Sequence, residues 1–275
     1  MNNAYWSQKL RRTLNEAARV HAEATGAPYY HSLNENEPTI LFEPYDNGNR
    51  HGNFHPESYA AILENPEWRK CLDREHPYPE ALPHDRRHKA RELDSAASSA
   101  ALLMTIFCFP GILDTEVVGL LDCGEPKVPQ FEYLPRVPLS NGDTDWTHID
   151  MKIGSLLCEA KLTEPDFTTV PAAKVERYAH LFDVFERRLL PRSSRGDYRF
   201  YQLIRNVLAA YHSGDSFLLI CDARRPDLLH DWWEIARAIR IPSLRASCMF
   251  LTWQEILAAS DANLRPFLQA KYLVT

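Results

Sequence analysis

Residues 147–161 have the sequence Thr-His-Ile-Asp-Met-Lys-Ile-Gly-Ser-Leu-Leu-Cys-Glu-Ala-Lys, which predicts two short strands joined by a tight turn. The turn falls at Gly154-Ser155, because a Gly-X pair suits a two-residue hairpin loop. The resulting register pairs apolar residues on one face: Ile153 with Leu156, Met151 with Cys158, and Ile149 with Ala160. The other face pairs Lys152 with Leu157, Asp150 with Glu159, and His148 with Lys161. We therefore expect only one side of the hairpin to pack into the core.

The second face of the hairpin brings two carboxylates together. Asp150 and Glu159 lie directly across the predicted ladder, with Cβ atoms roughly 4.5–5.5 Å apart. Like charges at that separation are destabilising unless a cation or a shared proton compensates for them. Lys161 follows Glu159 by two residues and projects to the same side, which suits a hard divalent metal ion beside a group that steadies an attacking water. The alternative is a solvated hairpin face whose charges have no catalytic role.

These residues resemble the signature of the PD-(D/E)xK nuclease superfamily, in which an Asp begins the second core strand and Glu-x-Lys lies on the third. Here the Asp is Asp150 and the Glu-x-Lys is Glu159-Ala160-Lys161. One departure is Ile149, which stands where the named signature has Pro. The resemblance extends over residues 92–257 and is closest to a bacterial, restriction-endonuclease-like subgroup. The segments that strengthen it are Ser98-Ser99, Phe131-Glu132-Tyr133, Lys161-Leu162-Thr163-Glu164 and Tyr201-Gln202-Leu203-Ile204-Arg205-Asn206.

The resemblance implies a metal-dependent nuclease that hydrolyses phosphodiester bonds in DNA. Mg²⁺ or Mn²⁺ would be held by Asp150, Glu159 and the backbone carbonyl of Ala160. Lys161 would orient the attacking water or pair with the phosphate. Asp150, Glu159 and Lys161 are therefore the expected catalytic residues.

Three residues outside the motif are further candidates. Some superfamily nucleases place a helical Gln near the active site, often with a Tyr four residues later. Gln202 is the corresponding residue here and is added to the expected catalytic residues, although Asn206 occupies the second position on the same helix face. Glu132, between two aromatic residues of the first predicted core strand, and Glu92, on the first predicted core helix, are second-tier metal ligands. Carboxylates that simply face solvent are the alternative for both.

A basic segment between two predicted helices is the best candidate for phosphate contacts. Residues 186–205 contain six arginines against two acids, a local balance of +4. The residues predicted to contact phosphate are Arg192, Arg195, Arg199 and Arg205. A solvated helix–loop–helix surface explains the same pattern without nucleic acid. The net charge of −6 argues against a broadly basic surface but leaves a local basic groove open.

Composition narrows the class of protein. Of the 275 residues, 45% are apolar and 25% are charged, which is typical of a soluble globular protein. No stretch approaches the roughly 18 apolar residues needed to span a membrane, and the first residues lack the pattern of a signal peptide. The six cysteines show no CxxC spacing, so we expect reduced thiols in a cytoplasmic protein without a membrane partner. The oligomeric state is left open, a homodimer included.

The order of predicted elements defines the fold class. Helix, strand, hairpin, helix, helix, strand, helix and strand follow one another, which predicts an α/β, restriction-endonuclease-like core with a mixed central sheet flanked by helices. Long helices are expected over residues 87–107, 172–190 and 198–212, and the first core strand over residues 130–138. Prolines between residues 76 and 84 mark a boundary. Residues 1–85 are predicted to form a helix-and-loop extension and residues 86–275 the nuclease-like core, with both parts in one compact unit.

A second function, from a different class, fits the same sequence. A nuclease-derived module could bind nucleic acid or a protein partner without cutting. The acidic net charge favours this reading, whereas the intact Asp150, Glu159 and Lys161 argue against it. Uptake of a divalent ion at the hairpin separates the two, since a binding module does not need it.

Overall fold

The computed structural model describes residues 3–33, 38–86, 89–125 and 127–273. Its helices are α1 Asn3–Thr25, α2 Pro56–Glu64, α3 Pro66–Arg69, α4 Ser99–Phe107, α5 Val117–Leu121, α6 Ala172–Val175, α7 Leu181–Val184, α8 Tyr201–Ser213, α9 Pro226–Ala236, α10 Pro242–Ala246, α11 Trp253–Ala259 and α12 Arg265–Tyr272. Its strands are β1 Tyr29–His31, β2 Ile40–Phe42, β3 Pro44–Tyr45, β4 Arg50–His51, β5 Gln130–Tyr133, β6 Val137–Pro138, β7 Thr144–Asp145, β8 Ile149–Ile153, β9 Leu156–Ala160, β10 Ser216–Cys221 and β11 Cys248–Thr252. None of the described helices is long and apolar enough to cross a membrane.

The chain divides into two compact units. The first comprises Ala4–Leu120, Ala160–Thr163 and Thr252–Thr275, and the second comprises Met1–Asn3, Leu121–Glu159 and Glu164–Leu251. In the first unit, the buried face of α1 includes Leu10, Leu14, Ala17 and Ala18. The boundary expected between an extension and a core, at residues 85 and 86, lies inside the first of these units. That boundary stays a prediction.

The helix expected over residues 87–107 is wrong in its first half. Helix α4 begins only at Ser99, because the Ser98 hydroxyl accepts a hydrogen bond from the backbone N–H of Ala101 at 3.1 Å and caps the helix there. Upstream, the Asp94 carboxylate accepts a hydrogen bond from the backbone N–H of Arg91 within a 3-10 turn. Of the residues expected in this helix, Arg87 and His88 lie outside the described ranges.

The second unit contains the central sheet. Its five strands are mixed in direction and follow the order β11-β10-β9-β8-β5, with β9 in the middle. Helices flank this sheet, which confirms the expected α/β class. On the α8 side, Leu203 and Val207 join Leu157 and Leu219 of the sheet in one buried apolar cluster. Burial of these side chains supplies the main driving force for the arrangement.

The hairpin at residues 147–161 has the expected register. Strands β8 and β9 are antiparallel, with Met151 opposite Cys158, Lys152 opposite Leu157, and Ile153 opposite Leu156. The loop between the strands is Gly154-Ser155, and Gly154 has a φ of +54°. A Cβ at this position would lie 2.3 Å from the carbonyl oxygen of Cys123. Glycine is therefore required here by both the backbone conformation and the close approach.

The expectation that only one face of the hairpin is packed is wrong for β9. Strand β8 alternates between buried and half-buried residues, but every residue of β9 is buried, including Leu157 and Glu159. The reason is the position of β9, since a central strand with packed layers on both sides has no solvated face. Glu159 consequently lies in the protein interior.

The first core strand is interrupted. Antiparallel pairs join Gln130 to Lys152, Phe131 to Met151, Tyr133 to Ile149, Val137 to Asp145, and Pro138 to Thr144. These pairs share one register, so β6–β7 continues the ribbon formed by β5–β8. Between the two parts, Arg136 adopts a φ of +56°, which breaks the regular strand expected over residues 130–138.

The helix expected over residues 172–190 is reduced to the short helices α6 and α7. Between them the backbone pairs with the ribbon, because the N–H of Ser140 donates to the carbonyl of Arg177 and the N–H of Ala179 donates to that of Pro138. Tyr178, in the segment between α6 and α7, is buried. The helix expected over residues 198–212 is confirmed as α8, which ends at Gly214 with a φ of +71°.

Candidate active site

Asp150 and Glu159 lie on adjacent strands of the central sheet. The register of β8 and β9, extended by one residue from the pair Met151–Cys158, places Asp150 opposite Glu159 on the same face. Asp150 is half-buried, whereas Glu159 is only 2% exposed. The register therefore places Asp150 and Glu159 opposite one another, as the sequence predicts.

Asn206 of α8 fixes the carboxylate of Glu159. Its amide Nδ2 donates a hydrogen bond to Glu159 Oε2 at 2.7 Å. Its Oδ1 accepts hydrogen bonds from the Nε and Nη2 atoms of Arg205, at 2.9 and 2.8 Å. A guanidinium only donates, so it determines which way the Asn206 amide points. The same Nη2 donates to the backbone carbonyl of His148 at 3.0 Å, which ties α8 to the chain entering β8.

Asn206 is a residue of α8 that contacts Glu159, and the catalytic role expected for Gln202 stays a prediction. Asn206 is fully buried against Glu159, while Gln202 is half-buried and its backbone N–H donates to Phe167. The sequence carries a signal for this, because Asn206 lies between Leu203 and Val207 on the apolar stripe of the helix. A polar residue on such a stripe needs a buried hydrogen-bond partner.

The four arginines expected to contact phosphate occupy different surroundings. Arg205 differs from the other three because it is buried and its guanidinium contacts Asn206 and the backbone carbonyl of His148. Arg192 is half-buried and donates to Glu176 at 3.0 Å, and this hydrogen bond lowers the pKa of Glu176. Arg195 and Arg199 have exposed side chains.

The two second-tier acids lie in different units. Glu132 is on β5, and the pairs on either side of it place it opposite Asp150. Its φ of +53° is unusual for a residue within a strand, and such backbone strain is often found at functional sites. Glu92 lies in the other unit, where its Oε2 atom is 2.7 Å from Nη2 of Arg74.

The last two residues of the motif follow Glu159 directly in the chain. Ala160 ends β9, and Lys161 is 6% exposed. The backbone carbonyl of Lys161 accepts a hydrogen bond from the indole of Trp253 at 3.0 Å, which fixes the main chain at this point.

The donor atoms at the hairpin fit a hard divalent ion. Across the described ranges, no group of three or more His, Cys, Asp or Glu side chains is placed to hold a metal ion. The candidate donors are instead the carboxylates of Asp150 and Glu159, with the carbonyl of Ala160 next in the chain. Mg²⁺ binds through one or two carboxylates and keeps several waters, and Mn²⁺ accepts the same oxygen donors. Two carboxylates on one face therefore satisfy the protein's share of such a site.

Comparison with known proteins identifies one family. The model of the family described as "Restriction Endonuclease associating with ARP" matches residues 17–273 of the chain. No curated protein and no solved structure matches it.

Proposed function

Because this chain belongs to the family of restriction endonucleases associating with ARP, we propose that it is a metal-dependent nuclease of the PD-(D/E)xK type that hydrolyses phosphodiester bonds in DNA. The proposal assigns Asp150, Glu159 and the Ala160 carbonyl as ligands of Mg²⁺ or Mn²⁺, and Lys161 as the third catalytic side chain. The observation that carries it is the strand register that places Asp150 opposite Glu159 on the central hairpin, with the Glu159 carboxylate held by Asn206 at 2.7 Å. The family description also names an association with ARP, and we extend that association to this chain as part of the proposal.

Each residue has a distinct part in the proposed reaction. A bound Mg²⁺ would lower the pKa of a water molecule and offset charge on the phosphate oxygens. Asp150 and Glu159 supply the negative charge that holds a cation, and Asn206 keeps the Glu159 carboxylate in one orientation. Lys161 orients the attacking water or pairs with the phosphate. Arg195 and Arg199, with exposed side chains, are the best placed of the four arginines to contact the DNA backbone.

An assay of metal-dependent cleavage tests the proposal. The chain is incubated with labelled single-stranded DNA and with the matching duplex, in Mn²⁺, in Mg²⁺ and in excess chelator. We expect cleavage with either metal ion and none with chelator. DNA binding without cleavage in any metal, together with no uptake of Mn²⁺, would instead assign the chain to the class of nuclease-derived binding modules.

Replacing Asn206 by Leu is expected to weaken Mn²⁺ binding about 10- to 100-fold, the usual effect of losing a residue that orients a metal ligand. The reason is that Glu159 loses the donor that fixes its carboxylate. Isothermal titration with Mn²⁺ measures the affinity, and circular dichroism at the same temperature verifies that the variant is folded. His212→Ala, an exposed change on the same helix, is the matched control. Equal affinity in both variants would remove Asn206 from the site.

A further inference from the structure

An exposed tryptophan lies on the chain that leads into β8. Trp146 has 62% of its surface exposed, and the guanidinium of Arg136 lies over its ring at 5.5 Å from the centroid. Tryptophan is enriched at binding interfaces because its ring offers a large apolar face, and a cation beside the ring adds a charged contact.

Hydrogen bonds hold the backbone on both sides of Trp146. Asp145 is buried, and its Oδ1 atom accepts hydrogen bonds from the N–H and the hydroxyl of Thr147, at 3.2 and 2.7 Å. Its Oδ2 atom accepts a hydrogen bond from the hydroxyl of Tyr178, which in turn lies 2.8 Å from the hydroxyl of Tyr201. Both neighbours of Trp146 are therefore fixed to the interior, so little conformational entropy is lost when its ring binds a partner.

The position of the pair relates it to the candidate active site. The register of the ribbon, extended by one residue from Val137–Asp145, places Arg136 opposite Trp146. Trp146 precedes Asp150 by four residues, so their Cα atoms are at most about 14 Å apart even in a fully extended chain. A nucleic-acid strand that contacts Trp146 therefore has only a short distance to span to the main chain at Asp150.

The surroundings of the pair favour nucleic acid over a protein partner. Next to Trp146 in the chain, the exposed side chains are polar, namely Asp143 and His148. A protein interface surrounds its aromatic anchor with a wider area of apolar contact. A single ring beside one guanidinium instead matches a nucleobase and its adjoining phosphate.

We propose that Trp146 and Arg136 form a stacking position for an unpaired nucleobase, so that the substrate contains a single-stranded segment. This inference rests on the proposed nuclease function. The base stacks on the indole, and the Arg136 guanidinium contacts the adjoining phosphate. Because every nucleobase has a π-face, the position tolerates any sequence, whereas the paired bases of a duplex keep their faces hidden.

Fluorescence anisotropy with a labelled single strand, in chelator so that nothing is cut, tests this inference. Trp146→Ala is expected to weaken binding roughly 5- to 150-fold, the fold-change of losing one stacked base. Trp146→Phe should keep most of the affinity. Arg136→Ala should reduce the slope of log affinity against log salt by about 0.7, the value for one phosphate contact on a single strand. Trp233→Ala is the matched control, because Trp233 is 59% exposed on α9.

The results separate this inference from the proposed function. Equal affinity in wild type, Trp146→Ala and Trp233→Ala overturns the stacking position, and metal-dependent cleavage by the same preparations leaves the nuclease proposal standing. If the three proteins bind DNA equally but Trp146→Ala no longer self-associates in sedimentation, Trp146 belongs to a protein interface instead. If wild type neither binds nor cleaves DNA, both proposals fail.

Discussion

Replacing Asp150 by Asn is expected to reduce Mn²⁺-dependent DNA cleavage on the order of a thousandfold, with the fold intact. The substitution keeps the size of a half-buried side chain on β8 but removes one of two facing negative charges. A catalytic metal ion contributes several kcal/mol to transition-state stabilisation, and each 1.4 kcal/mol is a factor of about ten in rate. Removing the charge should also relieve the repulsion from Glu159, so the variant should unfold at no lower urea concentration than wild type.

Initial rates on one labelled substrate measure this effect. Glu125→Gln is the matched control, because Glu125 is an exposed acid of the same unit and lies outside the candidate site. Lys161→Ala should lose cleavage as well, since Lys161 acts at the same phosphate in the proposal. Equal cleavage by wild type, Asp150→Asn and Lys161→Ala in Mn²⁺ would refute the assignment of the hairpin as the active site.

Replacing Asp227 by Ala is expected to lower the free energy of unfolding by about 3–5 kcal/mol, the usual cost of leaving one partner of a buried ion pair alone. The side chains of Arg225 and Asp227 have no exposed surface, and Arg225 Nη2 lies 2.8 Å from Asp227 Oδ2. Arg225 Nη1 also donates to the backbone carbonyl of Glu164 at 2.8 Å. The pair therefore anchors the segment that follows Glu159-Ala160-Lys161.

Urea unfolding followed by circular dichroism measures the loss. Glu234→Ala provides the comparison, because the pair Arg237–Glu234 has side chains 59% and 26% exposed and should cost at most about 1 kcal/mol. The double substitution Arg225→Leu with Asp227→Leu should cost less than Asp227→Ala alone, since neither partner is then left as a buried charge without the other. If Asp227→Ala lowers the free energy of unfolding by less than about 1 kcal/mol, the ion pair between Arg225 and Asp227 is not buried away from water as described.

Local patterns in the sequence were sufficient to predict the hairpin and its register. Strand alternation and the Gly154-Ser155 turn act over a few residues, so periodicity captures them. The burial of Glu159 could not be predicted in the same way, because it depends on β9 being the central strand and on α8 packing over it. Tertiary position, which no short window contains, decides which face of a strand meets water.

The errors in helix prediction have the same origin. Residues 172–190 carry apolar side chains at helical spacing, yet the backbone near Tyr178 pairs with the ribbon instead. Backbone hydrogen bonds to the ribbon, which is distant in sequence, thus outweighed the weak helix propensity of this segment. Counting charges along the sequence has a similar limit. The local net charge of the arginine cluster did not reveal that Arg192 forms an ion pair with Glu176 or that Arg205 donates a hydrogen bond to Asn206.

The most direct measurement is a crystal of the wild-type chain soaked in Mn²⁺ and examined for anomalous scattering. We expect a single peak within coordination distance of the carboxylates of both Asp150 and Glu159, and no such peak in a soaked Asp150→Asn crystal. A wild-type crystal whose Mn²⁺ lies elsewhere, or whose two carboxyl groups point away from each other with no density between them, would contradict the assignment of the hairpin as the metal site.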